Sequence, residues 1–222
     1  MKFLHRQFPG PQVLNNFNHD LHDWDSLTSK DKREIWVELV KMQGKTCAYC
    51  ERKIDFNKEG DKHIEHFKRK GKYKELTFDW INLFGSCGEK NRCGFYKDKQ
   101  NYDESHLLKA DETDPNDFFH FSLTGDVVPR PNLSPQQNTI ANETLRVFNL
   151  NPSNGGVKSE RASSLSKGLK TIKLYAAMAQ SLINSGDGLE EVRQYVREDY
   201  LSSIKSHEFY TAHRHVFETF LP

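Results

Sequence analysis

The four cysteines of the chain are arranged as two pairs, and this spacing constrains the fold more than any other feature. Cys47 and Cys50 are separated by two residues, and Cys87 and Cys93 by five. Four thiolates complete a tetrahedral structural zinc site, and the first spacing is usual for a zinc knuckle. The pattern predicts that all four cysteines bind one structural Zn²⁺. Buried cysteines without a ligand are the alternative, and a redox role is disfavoured because no thioredoxin-like pattern surrounds the first pair.

The hydropathy of the chain and its first residues predict a cytoplasmic protein, in which cysteines stay reduced. The 222 residues have a mean hydropathy of −0.80 and no long apolar run, so we expect no membrane-spanning helix. The first residues lack the apolar stretch of a secretory signal, and we therefore expect a cytoplasmic protein. Paired cysteines in the cytoplasm favour metal binding over disulfides. The net charge of +1 gives no global positive field that would attract nucleic acid.

Between the two cysteine pairs lie the residue types that phosphodiester hydrolysis requires. This reaction needs a base that deprotonates water, a cation that offsets the developing charge, and a group that holds the base. His66 can be the base, because a neutral imidazole titrates near working pH. Glu65 can reach a divalent metal, either from the opposite face of a strand or from the same face if the strand twists. Asn82 can fix the His66 ring or bind phosphate; the plainer alternative is that His66 is only a satisfied polar residue.

A basic run follows the candidate base directly. Lys68, Arg69 and Lys70 are the first members, and Lys72 and Lys74 continue it. Such a run can hold phosphates. Taken alone, a solvated lysine-rich loop is the commoner case, and it is the position next to His66 that favours a phosphate site.

Capping and periodicity predict the elements around this segment. A helix capped by Thr28 and Asp31 should run to about Met42 and stop at Gly44. Short strands are expected over 63–67 and 82–86, and a helix near Cys93. Later segments predict a hairpin within 113–135 and helical patterns over 141–150, 165–183 and 192–204.

Three C-terminal histidines, His207, His213 and His215, could suggest a second metal site. Such histidines more often lie on a solvated helix, and that is our expectation here.

Glu65-His66, Asn82-Leu83 and the bracketing cysteines resemble the ββα-metal nucleases called HNH. The resemblance implies that His66 is the general base, that Glu65 binds the catalytic Mg²⁺ or Mn²⁺, and that Asn82 orients the base. The family's last histidine normally follows the final cysteine, where this chain has Gly94. The third metal ligand is then missing, or it comes from one of several nearby residues, or Lys97 contacts phosphate instead. The candidate ligands are Asn91, Asp98 and His63.

A closer resemblance covers nearly the whole chain. The segments Cys47-Ala48-Tyr49-Cys50-Glu51, Ile64-Glu65-His66-Phe67 and Cys93-Gly94-x-x-Lys97-Asp98 are similar to one HNH subfamily, together with Trp80-x-Asn82-Leu83-Phe84-x-Ser86-Cys87. This subfamily comprises the HNH subunits, called PtuB, of Septu-type and retron-associated bacterial anti-phage systems, in which Cys-Gly replaces Cys-His. The resemblance implies an SMC- or ABC-type ATPase partner, PtuA. In retron-linked systems it also implies a reverse transcriptase with its RNA–DNA product.

The expected architecture is α+β, with a zinc-stapled ββα-metal core. We expect an N-terminal arm and helix over 1–44, the nuclease core over 45–112, and a hairpin plus helical region over 113–222 packed on the core. The expected function is a metal-dependent endonuclease acting in a defence complex. The alternatives are a zinc-stabilised adaptor without turnover and a stand-alone homing or restriction nuclease. Near-neutral charge and the lack of a second DNA-reading module count against the last.

Overall fold

The computed structural model describes residues 1–222, and its first long helix begins where the sequence predicts. Helix α1 spans Ser29–Gln43, and the Thr28 hydroxyl accepts from the Asp31 amide while the Asp31 carboxylate accepts from the Thr28 amide. This reciprocal capping satisfies two amide donors that a helix start leaves free. The helix ends at Gly44, whose φ of 74° suits a residue without a Cβ. The predicted helix is confirmed, and it delivers the chain to the first cysteine pair.

A strand, a second strand and a short helix follow. Strand β1 spans Lys62–His66 and pairs antiparallel with β2, Leu83–Cys87, and helix α2 spans Cys93–Lys97. The predicted strands are confirmed with boundaries shifted by one residue. In the register, His66 lies opposite Leu83 and Lys62 opposite Cys87. The last residue of β1 is therefore at the end of the strand pair where the long connection joins the two strands.

The middle of the chain contains a second hairpin and a helix that starts earlier than predicted. Strands β3, Phe119–Phe121, and β4, Val127–Pro129, pair antiparallel, as expected. Helix α3 spans Pro135–Val147, whereas the sequence pattern placed its start at Ala141. The Ser134 hydroxyl and the Gln137 side chain cap it reciprocally, and proline is favourable at the first helical position.

The C-terminal third is helical. Helices α4, α5 and α6 span Gly156–Asn184, Leu189–Ser203 and Tyr210–Glu218. Within 165–183, where the sequence predicts a helix, the fully buried residues are seven positions apart, namely Leu165, Ile172 and Ala179. With six helices and two small sheets, the predicted α+β class is confirmed.

The expectation that the C-terminal histidines are solvated is wrong for two of them. His213 and His215 are buried on α6, whereas His207 is exposed. The His213 ring nitrogen Nε2 lies 2.9 Å from the Ser164 hydroxyl, and His215 Nδ1 accepts from the Phe121 amide. These contacts make both rings part of the packing between α6, α4 and β3.

The buried apolar side chains form a single cluster that joins the cysteine segment to the helical region. The Tyr49 ring stacks on Phe148 with centroids 4.1 Å apart, and the Cys93 amide donates to the Phe148 carbonyl. The division of the chain at residues 44 and 112 stays a prediction. None of the helices is both long and apolar enough to span a membrane.

Candidate metal centre and catalytic cleft

The four cysteines meet in one buried cluster. Their Sγ atoms all lie within 4.8 Å of one another, and the Cys50 and Cys87 sulfurs are 4.0 Å apart. A tetrahedral zinc ion with Zn–S bonds of about 2.3 Å places its sulfurs about 3.8 Å apart. The predicted grouping is confirmed, and its geometry fits a structural metal ion such as Zn²⁺. Because all four positions are filled by buried cysteines, such a site has no open position for substrate.

A tight turn after α1 presents the first cysteine pair. Thr46 and Lys53 bridge the two arms of the turn, and the Cys47 amide donates to the Arg52 carbonyl. Glu51 follows the second cysteine with a φ of 64°, a left-handed conformation that few side chains adopt readily. Backbone hydrogen bonds thus hold the turn that carries Cys47 and Cys50, and this turn places Glu51 in the left-handed conformation.

Arginines that the sequence analysis did not single out surround the cluster. Four thiolates on Zn²⁺ carry a net charge of −2, which burial makes costly unless cations lie nearby. Burial lowers the pKa of Arg52 and Arg92, but Asp61 beside Arg52 and the Cys50 thiolate beside Arg92 outweigh it, and both pKa values are raised. Arg161 of α4 is buried close enough to feel the charge of Cys50. Arg52 and Arg92 lie within two residues of a cysteine in the sequence. Arg161 is far from the cysteines in the sequence, and only the fold shows that it lies near the cluster.

Glu65 is held between two basic side chains. Its Oε1 lies 2.6 Å from the Lys97 ammonium, and its Oε2 lies 3.2 Å from His63 Nε2. Burial alone would raise the pKa of this carboxyl, but the Lys97 charge and the His63 hydrogen bond outweigh burial and hold the pKa below its usual range. Glu65 is therefore a carboxylate at neutral pH.

Lys97 ties α2 to the end of β1. Its side chain is 0% exposed, and its ammonium donates to the carbonyls of His66 and Phe67 at 2.6 and 3.1 Å. Together with the Glu65 carboxylate, these contacts use the three N–H groups of the ammonium. The structure therefore does not favour the phosphate contact predicted for Lys97, because the group is fully buried and already paired.

The His66 ring is neutral and has one nitrogen without a hydrogen bond. Nε2 lies 2.9 Å from the Thr77 carbonyl, and because a carbonyl only accepts, Nε2 carries the proton. Nδ1 makes no hydrogen bond within the chain and keeps its lone pair. The edge of Trp24 contacts the ring with centroids 4.4 Å apart. Burial lowers the pKa of His66 to about 4, so the imidazole is neutral at pH 7.

Asn82 acts on the loop after β1 rather than on the His66 ring. Its Oδ1 accepts from the Lys68 amide, and its Nδ2 donates to the carbonyls of Lys68 and Leu76. These bonds hold the connection that leads to Thr77, whose carbonyl binds the His66 ring. Asn82 thus contacts the backbone of the loop that carries Thr77, and it makes no hydrogen bond with the His66 ring.

Glu65 and His66 line the same open cleft of about 670 Å³. Side chains of a strand alternate, but His66 is the last residue of β1, where the chain turns, so the twisted arrangement is the one observed. The cleft is also lined by basic, aromatic and acidic residues: Trp24, His63, Arg69, Lys70, Phe95 and Asp98.

The basic run is only partly directed into this cleft. Lys70 is exposed at its wall, whereas the Arg69 guanidinium donates to the Gln100 carbonyl and to the Tyr102 hydroxyl. The Lys68 ammonium lies 5.5 Å from the Tyr73 ring centroid and lines a neighbouring cavity. Of the three, Lys70 is the best placed to meet a phosphate bound in the cleft.

The position of the expected third ligand is filled by other side chains. A Cβ added at Gly94 would lie 2.2 Å from Glu65 Oε2 and 2.6 Å from His63 Nε2, so a side chain at this position would require Glu65 and His63 to shift. The oxygen and nitrogen that crowd this position are donor types that bind divalent cations. The buried ring nitrogen Nδ1 of His63 also has no hydrogen-bond partner. The residues present thus fit a cation at this point of the cleft.

Comparisons with known proteins bear on the predicted family resemblance. No family model matches the chain. It is 26% identical over 146 residues to "retron Vc95 putative HNH endonuclease" of Vibrio cholerae serotype O1 biovar El Tor, covering 63% of this chain and 66% of that protein. The predicted resemblance is confirmed. It is also 29% identical over 99 residues to "Septu protein PtuB" of Bacillus thuringiensis, covering 42% of this chain and 36% of that protein. The chain therefore matches less than two thirds of the length of either relative.

Proposed function

We propose that the chain is a metal-dependent HNH endonuclease that hydrolyses phosphodiester bonds of nucleic acid. The observation that carries the proposal is His66, a neutral imidazole whose Nε2 is fixed by the Thr77 carbonyl and whose Nδ1 is free in an open cleft beside Glu65. A satisfied structural histidine would have both nitrogens bonded or buried. The order of strand, strand and helix around the cysteine cluster supports the same proposal.

In this proposal each residue of the cleft has a separate role in hydrolysis. His66 Nδ1 accepts a proton from the attacking water, and the Thr77 carbonyl keeps the ring in the required tautomer. A divalent cation beside Glu65, Mg²⁺ or Mn²⁺, would offset the charge that develops on the phosphoryl oxygens. Lys97 keeps Glu65 ionised, and Lys70 contributes positive charge where the substrate backbone enters.

The cysteine cluster has a structural role in the same proposal. A closed tetrathiolate zinc site contributes its binding free energy to folding and offers no position for water. It fixes the end of β2 to the start of α2 and so sets the distance between β1 and Lys97. Reduced cysteines are consistent with a cytoplasmic location.

We further propose that the protein is the effector subunit of a bacterial anti-phage complex. The names of the two relatives, a retron HNH protein and a Septu PtuB protein, support this part. The expected partner is an SMC- or ABC-type ATPase of the PtuA kind. In a retron setting, the reverse transcriptase and its RNA–DNA product would join the complex.

One observation favours a second candidate, a zinc-stabilised binding adaptor without turnover. Lys97 and His63 already satisfy both oxygens of Glu65, as they would in a purely structural ion pair. In that case the cleft would bind nucleic acid or protein without hydrolysis.

A cleavage assay separates the two candidates. Zinc-loaded wild type and His66→Ala are incubated with plasmid DNA, single-stranded DNA and total tRNA in Mg²⁺ or Mn²⁺, each with and without the neighbouring ATPase. We expect wild type to cleave at least one substrate and His66→Ala to lose about 10²–10⁴-fold in rate, because general-base catalysis contributes this much. An exposed histidine variant, His106→Ala, is the matched control. Equal cleavage by wild type and His66→Ala would reject the assigned base, and binding without cleavage in every condition would favour the adaptor.

A further inference from the structure

Two side chains of β1 converge on the point where α2 has no side chain. Gly94 lies in the first turn of α2, facing β1. A Cβ built there would lie 2.2 Å from Glu65 Oε2 and 2.6 Å from His63 Nε2. The imidazole of His63 thus occupies the volume that a side chain at position 94 would otherwise fill.

The strand geometry explains why these two groups meet. His63 and Glu65 are two residues apart on β1, so their side chains leave the same face. Their facing atoms, Nε2 and Oε2, are 3.2 Å apart. Adjacent ligands of an octahedral ion with bonds of about 2.1 Å are about 3.0 Å apart. The observed separation is therefore close to that of two neighbouring ligands of one ion.

The two oxygens of Glu65 have different neighbours. Oε1 is paired with the buried Lys97 ammonium, which leaves Oε2 and its side of the carboxylate for a cation. The His63 ring is oriented by stacking on Phe95, with centroids 3.8 Å apart, while its Nδ1 has no hydrogen-bond partner. Nε2 shares a hydrogen bond with Oε2, and a cation that takes the place of the shared proton would contact both atoms.

The other candidate ligands are less well placed. Asn91 is exposed and does not line the cleft. Asp98 does line it, but its Oδ1 lies 3.2 Å from the Lys97 ammonium and its side chain is half exposed. Of these candidates, only His63 places a ring nitrogen in contact with the Glu65 carboxylate.

We propose that His63 is the nitrogen ligand of the catalytic divalent cation and replaces, from β1, the side chain that Gly94 cannot supply from α2. The inference rests on the proposed function, since it assigns a ligand in the same cleft. It predicts a cation held by Glu65 Oε2 and His63 Nε2, with water and substrate oxygens in the remaining positions.

The test measures Mn²⁺ binding to the zinc-loaded protein without reference to activity. Mn²⁺ affinity is determined by electron paramagnetic resonance, and a directly bound imidazole is detected by its nitrogen modulation in spin-echo experiments. Wild type is compared with His63→Gln, with His66→Ala, and with the exposed control His106→Gln. Zinc content and circular dichroism establish that each variant is folded.

We expect at least about a 10-fold loss of Mn²⁺ affinity in His63→Gln, because loss of even an outer-shell partner costs 10–100-fold. The nitrogen modulation should disappear in His63→Gln and persist in His66→Ala and His106→Gln. Unchanged affinity with persistent modulation in His63→Gln would overturn the assignment, as would modulation lost only in His66→Ala. Absence of Mn²⁺ binding by wild type would overturn it as well.

A second route does not require a His63 variant. His66→Ala protein labelled with ¹⁵N-histidine contains only one histidine in the cleft, His63, so a ¹⁵N coupling to Mn²⁺ identifies it. A missing coupling would contradict the proposal. If cleavage depends on His66 but no His63 coupling is seen, His63 is not the metal ligand and the proposed nuclease function stands. If a His63 coupling is seen without cleavage, His63 is a metal ligand and the proposed nuclease function is rejected.

Discussion

The cysteine cluster and the Glu65–His66 cleft both use residues of β1, β2 and α2 or of the turn that precedes them, but different kinds of group complete them. The cluster is made of four side chains of one type, all buried and within 4.8 Å of one another. The cleft depends on a backbone carbonyl at Thr77, an ammonium at Lys97 and the ring of Trp24. The cysteine cluster can therefore be predicted from its residue types, whereas the cleft depends on neighbours that carry no motif.

The two regions also manage charge in opposite ways. Around the cluster, arginines offset the negative thiolates of a permanently buried centre. In the cleft, one buried lysine keeps Glu65 charged while burial keeps His66 neutral. The first arrangement favours stability, and the second keeps an ionised carboxylate next to a neutral imidazole. Substitutions in the two regions should therefore have different consequences.

The largest effect is expected from Cys87→Ser. Loss of one thiolate should release the metal, and structural zinc binding contributes on the order of 10 kcal/mol to folding in small zinc domains. We expect zinc content to fall to near zero and the melting temperature to drop by more than about 10 °C. Zinc content and circular dichroism melting measure both.

Removal of zinc from wild type by a strong chelator should produce the same change, which is the control for Cys87→Ser. A variant that stays folded with one bound zinc would contradict a structural role for the cluster.

The next largest effect is expected from Lys97→Met. It leaves the buried Glu65 carboxylate without its cation and removes the donors to the His66 and Phe67 carbonyls. Removing one partner of a buried ion pair typically costs about 3–5 kcal/mol. Urea unfolding should show this loss, with zinc content unchanged.

Lys99→Met, an exposed lysine two residues later, is the matched control and should lose little stability. Equal unfolding midpoints for the two variants would show that the pair does not hold β1 to α2.

A smaller effect is expected from Asn82→Ala. The loop after β1 loses three hydrogen bonds, at about 1 kcal/mol each. Amide hydrogen exchange should quicken over residues 68–77, and the cleavage rate should fall because the Thr77 carbonyl no longer fixes the base. Zinc content should not change.

The exposed Asn15→Ala is the control for this variant. Exchange that quickens around the cysteines instead of the loop would place Asn82 in the structural site.

The smallest effect is expected from pH. Because the pKa of His66 is lowered to about 4, protonation of this base begins only well below pH 6. A group of pKa about 4 is about 99% neutral at pH 6, whereas one at the ordinary value of about 6.5 would be about one quarter neutral. The single-turnover rate should therefore lose almost nothing from His66 protonation between pH 8 and pH 6. A fourfold fall centred near pH 6.5 would contradict the buried, neutral base.

Residue types and local capping made part of this structure predictable. The cysteine pairs, the capping box at Thr28 and Asp31, and the order of β1, β2 and α2 all follow from short-range patterns. The start of α3 is predictable in the same way, because Ser134-Pro135 followed by Gln137 is a capping signal.

Other features depend on contacts between distant segments, which a single sequence does not show. Lys97 looked like a phosphate ligand, and only its burial against Glu65 reveals another role. Asn82 looked like a partner of the His66 ring, but the ring is held by the Thr77 backbone carbonyl, which has no side-chain signature. His213 and His215 looked solvated because α6 packs against α4 and β3 only in the folded chain.

Chemical rescue of the base tests the central claim most directly. The His66→Gly variant leaves a space beside Trp24 and the Thr77 carbonyl that free imidazole can enter. With the substrate found for wild type, we predict that His66→Gly retains zinc and loses cleavage. Added imidazole should restore the rate at least 10-fold in this variant and leave wild type unaffected. Cleavage by His66→Gly at the wild-type rate without imidazole would contradict the account.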